Sequence, residues 1–208
     1  MHNYKLLRYP LKPCESSTSS GTSTSTSTYT RYDKLLLEMV DLVRDRWGYV
    51  ETEKFGLTGY SGGAQVCPAC CREQWADDQF AHRFFYLHPS RVAFISAGAP
   101  GTATPLSSSS AWPGGISDIS SVFDRAEIDI SAMRRTPTHL IVGLEDKWRP
   151  VANDGSTPKM NRIETMRMLR DDWRSNGLEV EYEEIEGVGH EEVDVLGQVQ
   201  AFVVGQLR

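Results

Sequence analysis

From Arg31 onward the chain alternates between two kinds of hydrophobic spacing. Leu35, Leu36, Met39, Leu42, Val43 and Trp47 recur at helical intervals and Gly48 follows, which predicts a helix stopped by that glycine. Lys54 to Tyr60 reads as a short strand that runs into a glycine-rich turn. Phe80 to Leu87 reads as helix, closed by His88-Pro89, and Arg91 to Ala97 as a buried strand through the unbroken apolar run Val92-Ala93-Phe94-Ile95. Thr138 to Gly143 repeats that pattern through Leu140-Ile141-Val142. Met160 to Asn176 returns to helical spacing, with Ile163, Met166, Leu169 and Trp173 on one face and Gly177 as its stop. Leu178 to Ile185 alternates through Leu178, Val180 and Tyr182, and a last helix starts near Glu191 with Val195, Val199, Phe202 and Val203 inward.

Strands that alternate with helices predict an α/β fold, a mostly parallel sheet with helices on both faces. In such sheets the functional groups gather beyond the carboxyl ends of the strands. The first strand ends in Gly59-Tyr60-Ser61-Gly62-Gly63, a G-x-S-x-G pattern. Glycines suit the sharp strand-to-helix turn that lifts a serine hydroxyl above the sheet edge. The strand Thr138 to Gly143 ends in Leu144-Glu145-Asp146, which places a carboxylate at a second strand end. The last strand ends in Gly187-Val188-Gly189-His190-Glu191, where flanking glycines let a loop bring an imidazole over the edge. A serine hydroxyl is a weak nucleophile that needs a base within reach and a third group to hold the base. Ser61, Asp146 and His190 supply those three groups in the order Ser, Asp, His.

These residues carry a resemblance to the α/β-hydrolase superfamily, and the chain is similar to its single-domain esterase, lipase and polyhydroxybutyrate-depolymerase-like members. The matching stretches are His2 to Lys5, Phe55 to Gly63, Phe80 to Pro89, Gly98-Ala99-Pro100-Gly101, Trp112-Pro113, Leu140 to Asp146 and Gly187 to Glu191. The resemblance implies that Ser61 is the nucleophile, Asp146 the acid and His190 the base, with the backbone N–H of Gly62 as one oxyanion donor. It implies hydrolysis of a small ester-type substrate, with no cofactor or metal. Members of the superfamily place several strands and a loop with a second oxyanion N–H ahead of the elbow. No such unit is legible before Lys54, so the sequence reads as a hydrolase fold incomplete at its N-terminus.

Composition narrows the picture further. Ser16 to Thr30 is nearly all Ser and Thr and has little apolar surface to offset the entropy of ordering it, so residues 1–30 read as a residual segment with a disordered tract. The hydrolase part is expected over 31–208, with an insertion at 66–79. A net charge of -6 lacks the basic balance that nucleic-acid binding needs. No apolar run approaches the roughly 20 residues that span a bilayer, and no signal peptide is legible. Of the four cysteines, Cys67, Cys70 and Cys71 cluster together, a poor disulfide framework that fits a reducing, cytoplasmic setting.

The insertion offers one rival. Cys67-x-x-Cys70 with His82 and His88 downstream comes near a two-Cys, two-His zinc spacing, which reads as a metal-binding module. A second rival keeps the triad in a chain without activity. Deleting Val66 to Gln79 restores the continuous run Gly-Gly-Ala-Gln-Phe-Ala-His-Arg-Phe. Valine codons begin with GT and one glutamine codon ends in AG, so the segment has the ends of a common intron. Transcript sequencing is expected to show a spliced form joining the Gln65 and Phe80 codons. Finding only the unspliced message in well-expressed material would make the segment part of the protein.

Overall fold

The computed structural model describes residues 8–10, 29–48, 53–61, 80–123, 127–149 and 160–208. Its centre is a parallel sheet of four strands in the order β3-β4-β5-β6: β3 (Phe55–Tyr60), β4 (Val92–Gly98), β5 (Thr138–Gly143) and β6 (Val180–Ile185). A short antiparallel pair, β1 (Arg8–Pro10) and β2 (Tyr29–Arg31), precedes it. Strand pairing therefore reaches back to Tyr29 and Thr30, at the end of the Ser/Thr tract, while 11–28 lie outside the described residues. The insertion at 66–79, with Cys67 and Cys70, also lies outside them.

Six α-helices and a 3-10 turn at Pro89–Arg91 complete the described chain: α1 (Tyr32–Trp47), α2 (Phe80–Leu87), α3 (Ile119–Phe123), α4 (Ile130–Arg134), α5 (Arg162–Ser175) and α6 (Glu192–Gln206). α2 and α5 share one face of the sheet, joined by a hydrogen bond from Trp173 Nε1 to Tyr86 Oη at 2.8 Å. α6 covers the other face, where Phe202 packs against Phe94 of β4 and His139 of β5. The sheet interior is apolar, with Ile95, Leu140, Ile141 and Val142 fully buried. No described helix is long and apolar enough to cross a membrane.

Two departures from the pattern have physical causes. α3 and α4 fall between Ala97 and Thr138, where the hydrophobic spacing predicts no element, because five residues each are too few to show a period. The local sign for α4 is Asp129, whose side chain caps the helix by accepting from the Ala132 N–H at 2.8 Å. The apolar repeat of α1 forms the expected helix, yet Leu35, Met39, Leu42, Val43 and Trp47 face outward. Leu36 and Leu37 pack on the core instead, and the helix is tied down by charge.

That tie is Asp33, fully buried at the start of α1. Arg31 grips it with both arms of the guanidinium, and His88 Nε2 bonds the same carboxylate at 2.7 Å. Arg31 also donates to the Phe123 carbonyl, so one ion cluster joins α1, the end of α2 and α3. Burial alone would raise the Asp33 carboxyl, but the hydrogen bonds and charges of Arg31 and His88 hold it well below the usual carboxylate range. A carboxyl depressed in the folded state adds stability above its unfolded pKa of about 3.9, and that stability is lost as pH falls toward the folded value. Asp33→Asn is expected to lower the urea-unfolding free energy by about 3 kcal/mol at neutral pH, because it leaves Arg31 without its partner. The gap between variant and parent should narrow as pH drops below about 4. A gap that is constant with pH would refute the electrostatic account.

Candidate active site

The site forms where β3, β5 and β6 end. β3 delivers Ser61 at its last turn, with φ of 51°, a left-handed conformation that side chains other than glycine seldom adopt. The turn is fixed by the Ser61 N–H, which donates to the Gly98 carbonyl of β4 at 2.8 Å. Just before it, a Cβ on Gly59 would stand 2.9 Å from the Cβ of Ala81, so the absence of a side chain lets α2 lie close to the strand. Gly62, the expected oxyanion donor, lies outside the described residues.

Asp146 follows β5 and His190 follows β6. Their loops are stitched together by backbone bonds: Leu144 N–H to the Ile185 carbonyl at 2.9 Å, and Glu145 N–H to the Val188 carbonyl at 2.8 Å. The crossing is tight at Gly143, where a Cβ would sit 2.3 Å from the Val188 oxygen and 2.4 Å from that of Gly189. The histidine loop thus lies directly on the end of β5, and this brings the two side chains together.

The three side chains named from the strand ends form one continuous hydrogen-bonded chain. Ser61 Oγ lies 2.6 Å from His190 Nε2, and His190 Nδ1 lies 2.5 Å from Asp146 Oδ2. A carboxylate only accepts, so the imidazole proton belongs on Nδ1, and Nε2 is left to accept from the serine hydroxyl. Asp146 is buried, with side-chain exposure of 1%, whereas His190 is one-third open to solvent. The arrangement therefore has an accessible hydroxyl, a base on it and a buried anion behind the base.

Two neighbours complete the surroundings of these three side chains, and of them Arg162 was not legible as a site residue. Arg162 Nη1 donates to Asp146 Oδ1 at 3.0 Å, the oxygen that His190 does not use. Tyr60 lies beside the imidazole, with ring centroids 5.7 Å apart. Burial first, and then the Asp146 charge, push its hydroxyl up to about 12. That hydroxyl is buried without a hydrogen-bond partner among the described residues. A cavity of about 80 Å³ lies on this side, lined by Thr58, Tyr60, Ser96 and Ile141 of the sheet and by Val195 and Val199 of α6. Trp112 packs edge-on to Phe123 and under Arg83, anchoring a loop, while Trp148 is exposed beneath the Arg162 guanidinium.

The other described histidines are committed elsewhere. His82 is buried, and its Nε2 accepts from the Thr104 N–H at 3.1 Å, while burial and the adjacent Arg83 hold it well below the ordinary histidine value. His88 is spent on Asp33. Among the described residues no group of three or more His, Cys, Asp or Glu side chains could hold a metal ion. His139 sits in a second Ser-His-acid chain: its Nδ1 faces Ser96 Oγ at 2.8 Å and its Nε2 faces Glu183 at 3.2 Å. Both Ser96 and His139 are buried, and this chain crosses the sheet beneath α6.

Among solved structures the chain is similar to poly(aspartic acid) hydrolase-1 from Sphingomonas sp. KT-1, with a TM-score of 0.59, 16% sequence identity and 86% of this chain covered. The two chains share an α/β fold built on a parallel sheet. This chain spans 65% of the length of that protein. MGS-MChE2, an α/β hydrolase enzyme from the metagenome of sediments from the lagoon of Mar Chica, Morocco, overlaps 88% of this chain and 73% of its own at 15% identity, with a TM-score of 0.37. No protein-family model and no curated protein sequence matches the chain.

The tight crossing at Gly143 makes a direct expectation. Gly143→Ala should leave a cooperative thermal melt by circular dichroism but displace the His190 loop by roughly 1 Å, enough to slow a Ser61-dependent reaction about 100-fold. An alanine variant as reactive as its parent would show that the loop has room to spare.

Proposed function

We propose that the protein is a serine hydrolase that cleaves carboxylic ester-type bonds of a small substrate by acyl transfer. The single observation that carries this reading is the unbroken Ser61–His190–Asp146 hydrogen-bond chain on a turn whose backbone holds the serine in a strained conformation. The fold shared with a hydrolase supports it.

In the proposed mechanism Ser61 Oγ attacks the carbonyl carbon while His190 Nε2 takes the hydroxyl proton. Asp146 keeps the imidazole in the tautomer that can accept that proton and stabilises the imidazolium that forms. The Gly62 backbone N–H, next after the nucleophile, stabilises the developing oxyanion, as in other elbows of this kind. His190 then gives its proton to the leaving alkoxide, and an acyl-enzyme ester remains on Ser61. Water, deprotonated by His190, attacks that ester; the acid leaves and Ser61 recovers its proton. No metal or cofactor enters these steps. The acidic net charge gives no overall electrostatic attraction toward nucleic acid.

The test is chemical. A fluorophosphonate probe is expected to label Ser61 and a short activated ester to be hydrolysed. Ser61→Ala should abolish labelling, His190→Ala should nearly do so, and Asp146→Asn should slow it by roughly 10³- to 10⁴-fold through the wrong imidazole tautomer. Equal labelling of Ser61→Ala and its parent would place the nucleophile elsewhere and defeat the proposal.

A further inference from the structure

We infer that Arg162 is a positioning residue for this site: it holds Asp146 by the carboxylate oxygen that faces away from His190, and so fixes the base through the acid. The inference rests on the hydrolase reading above. Asp146 divides its two oxygens between two partners, Oδ2 to His190 Nδ1 at 2.5 Å and Oδ1 to Arg162 Nη1 at 3.0 Å. A carboxylate bonded through one oxygen still turns about its terminal torsion, which has broad wells. A donor on each oxygen stops that rotation and fixes the direction in which the imidazole proton is held.

Charge gives the second reason. Before reaction the imidazole is neutral, and an anion with 1% side-chain exposure needs a counter-charge. The Arg162 side chain, 11% exposed, is a cation in direct contact with it. Arg162 thus supplies beside Asp146 the counter-charge that a neutral imidazole does not.

The location of Arg162 is locally unfavourable. It is the first residue of α5, where the helix dipole disfavours a cation. Its Nε is buried with no hydrogen-bond partner among the described residues. The surroundings hold it there nonetheless. The guanidinium stacks on Trp148, 4.4 Å from the ring centroid, and the preceding Asn161 forms a capping box with Glu164 that fixes the helix start. Glu164 in turn binds Arg149, so α5 holds the segment after β5 at both Asp146 and Arg149.

The experiment uses the full chain with Arg162→Met, which keeps length without charge, and Arg162→Lys, which restores charge and a donor. Each is made in the parent and in Asp146→Asn, and circular dichroism confirms folding. Steady-state hydrolysis of a short activated ester should show kcat lowered about 10-fold by Arg162→Met with KM little changed, and partial recovery in Arg162→Lys. In the Asp146→Asn background the same change should have no further effect, because no carboxylate remains to be held. Proton NMR adds a readout that needs no turnover: the downfield signal of the His190 Nδ1 proton should be resolved in the parent and Arg162→Lys, and lost in Arg162→Met. Independent losses in the two backgrounds, or an unchanged proton signal in Arg162→Met, would overturn the inference and leave Arg162 as a brace for Trp148. If the parent shows no hydrolysis and no Ser61 labelling, the hydrolase reading fails, and the NMR comparison still decides whether Arg162 holds Asp146.

Discussion

The contact between His190 and Asp146 is the constraint on which the rest of the site depends, because it closes two loops from neighbouring parallel strands over one sheet edge. Parallel pairing of β5 and β6 puts both strand ends at the same level, and the backbone bonds of Leu144 and Glu145 draw the loops together. Gly143 leaves the space in which they cross. Ser61 arrives from β3, two strands away from β5, and reaches the imidazole only because its turn stands above the sheet. The helices matter to this geometry chiefly as clamps: α2 lies close at Gly59, and α5 meets Asp146 through Arg162.

Two Ser-His-acid chains in one small protein show that residue types do not by themselves make a site. Ser96, His139 and Glu183 are joined much as Ser61, His190 and Asp146 are, but they cross the strands beneath Phe202. Burial, first among the influences on His139, disfavours its charged form despite Glu183 and Glu181 nearby. The chain satisfies polar groups that the sheet would otherwise bury unpaired. The Ser61 chain differs in standing at the strand ends, with an imidazole open to solvent.

Much of this was legible because the signals were long or local. All four strands of the main sheet and the four longer helices appear in the order that their hydrophobic periods predict, with ends displaced by a residue or two. The three strand-end residues could be named because glycines mark where the chain must turn sharply. What could not be read depends on contacts between distant segments. Arg162 faces Asp146 from sixteen positions further along the chain and stands where helix rules disfavour a cation, so no local pattern points to it. Asp33 reads as an ordinary first-turn acid until His88 and Arg31 converge on it. The outward stripe of α1 shows a limit of another kind: a period reports that a helix has an apolar face, not that something covers it.

The backbone of Ser61 has a consequence for how such a protein changes over time. At φ of 51° a glycine would rest with less strain than the serine does. Exchanging the proposed nucleophile for glycine would thus relieve the turn while removing the hydroxyl. Stability and reactivity pull in opposite directions at this one position, so a lineage freed from the need for activity would tend to drift toward the more comfortable residue. A serine at this turn is therefore a residue that backbone comfort alone would not select.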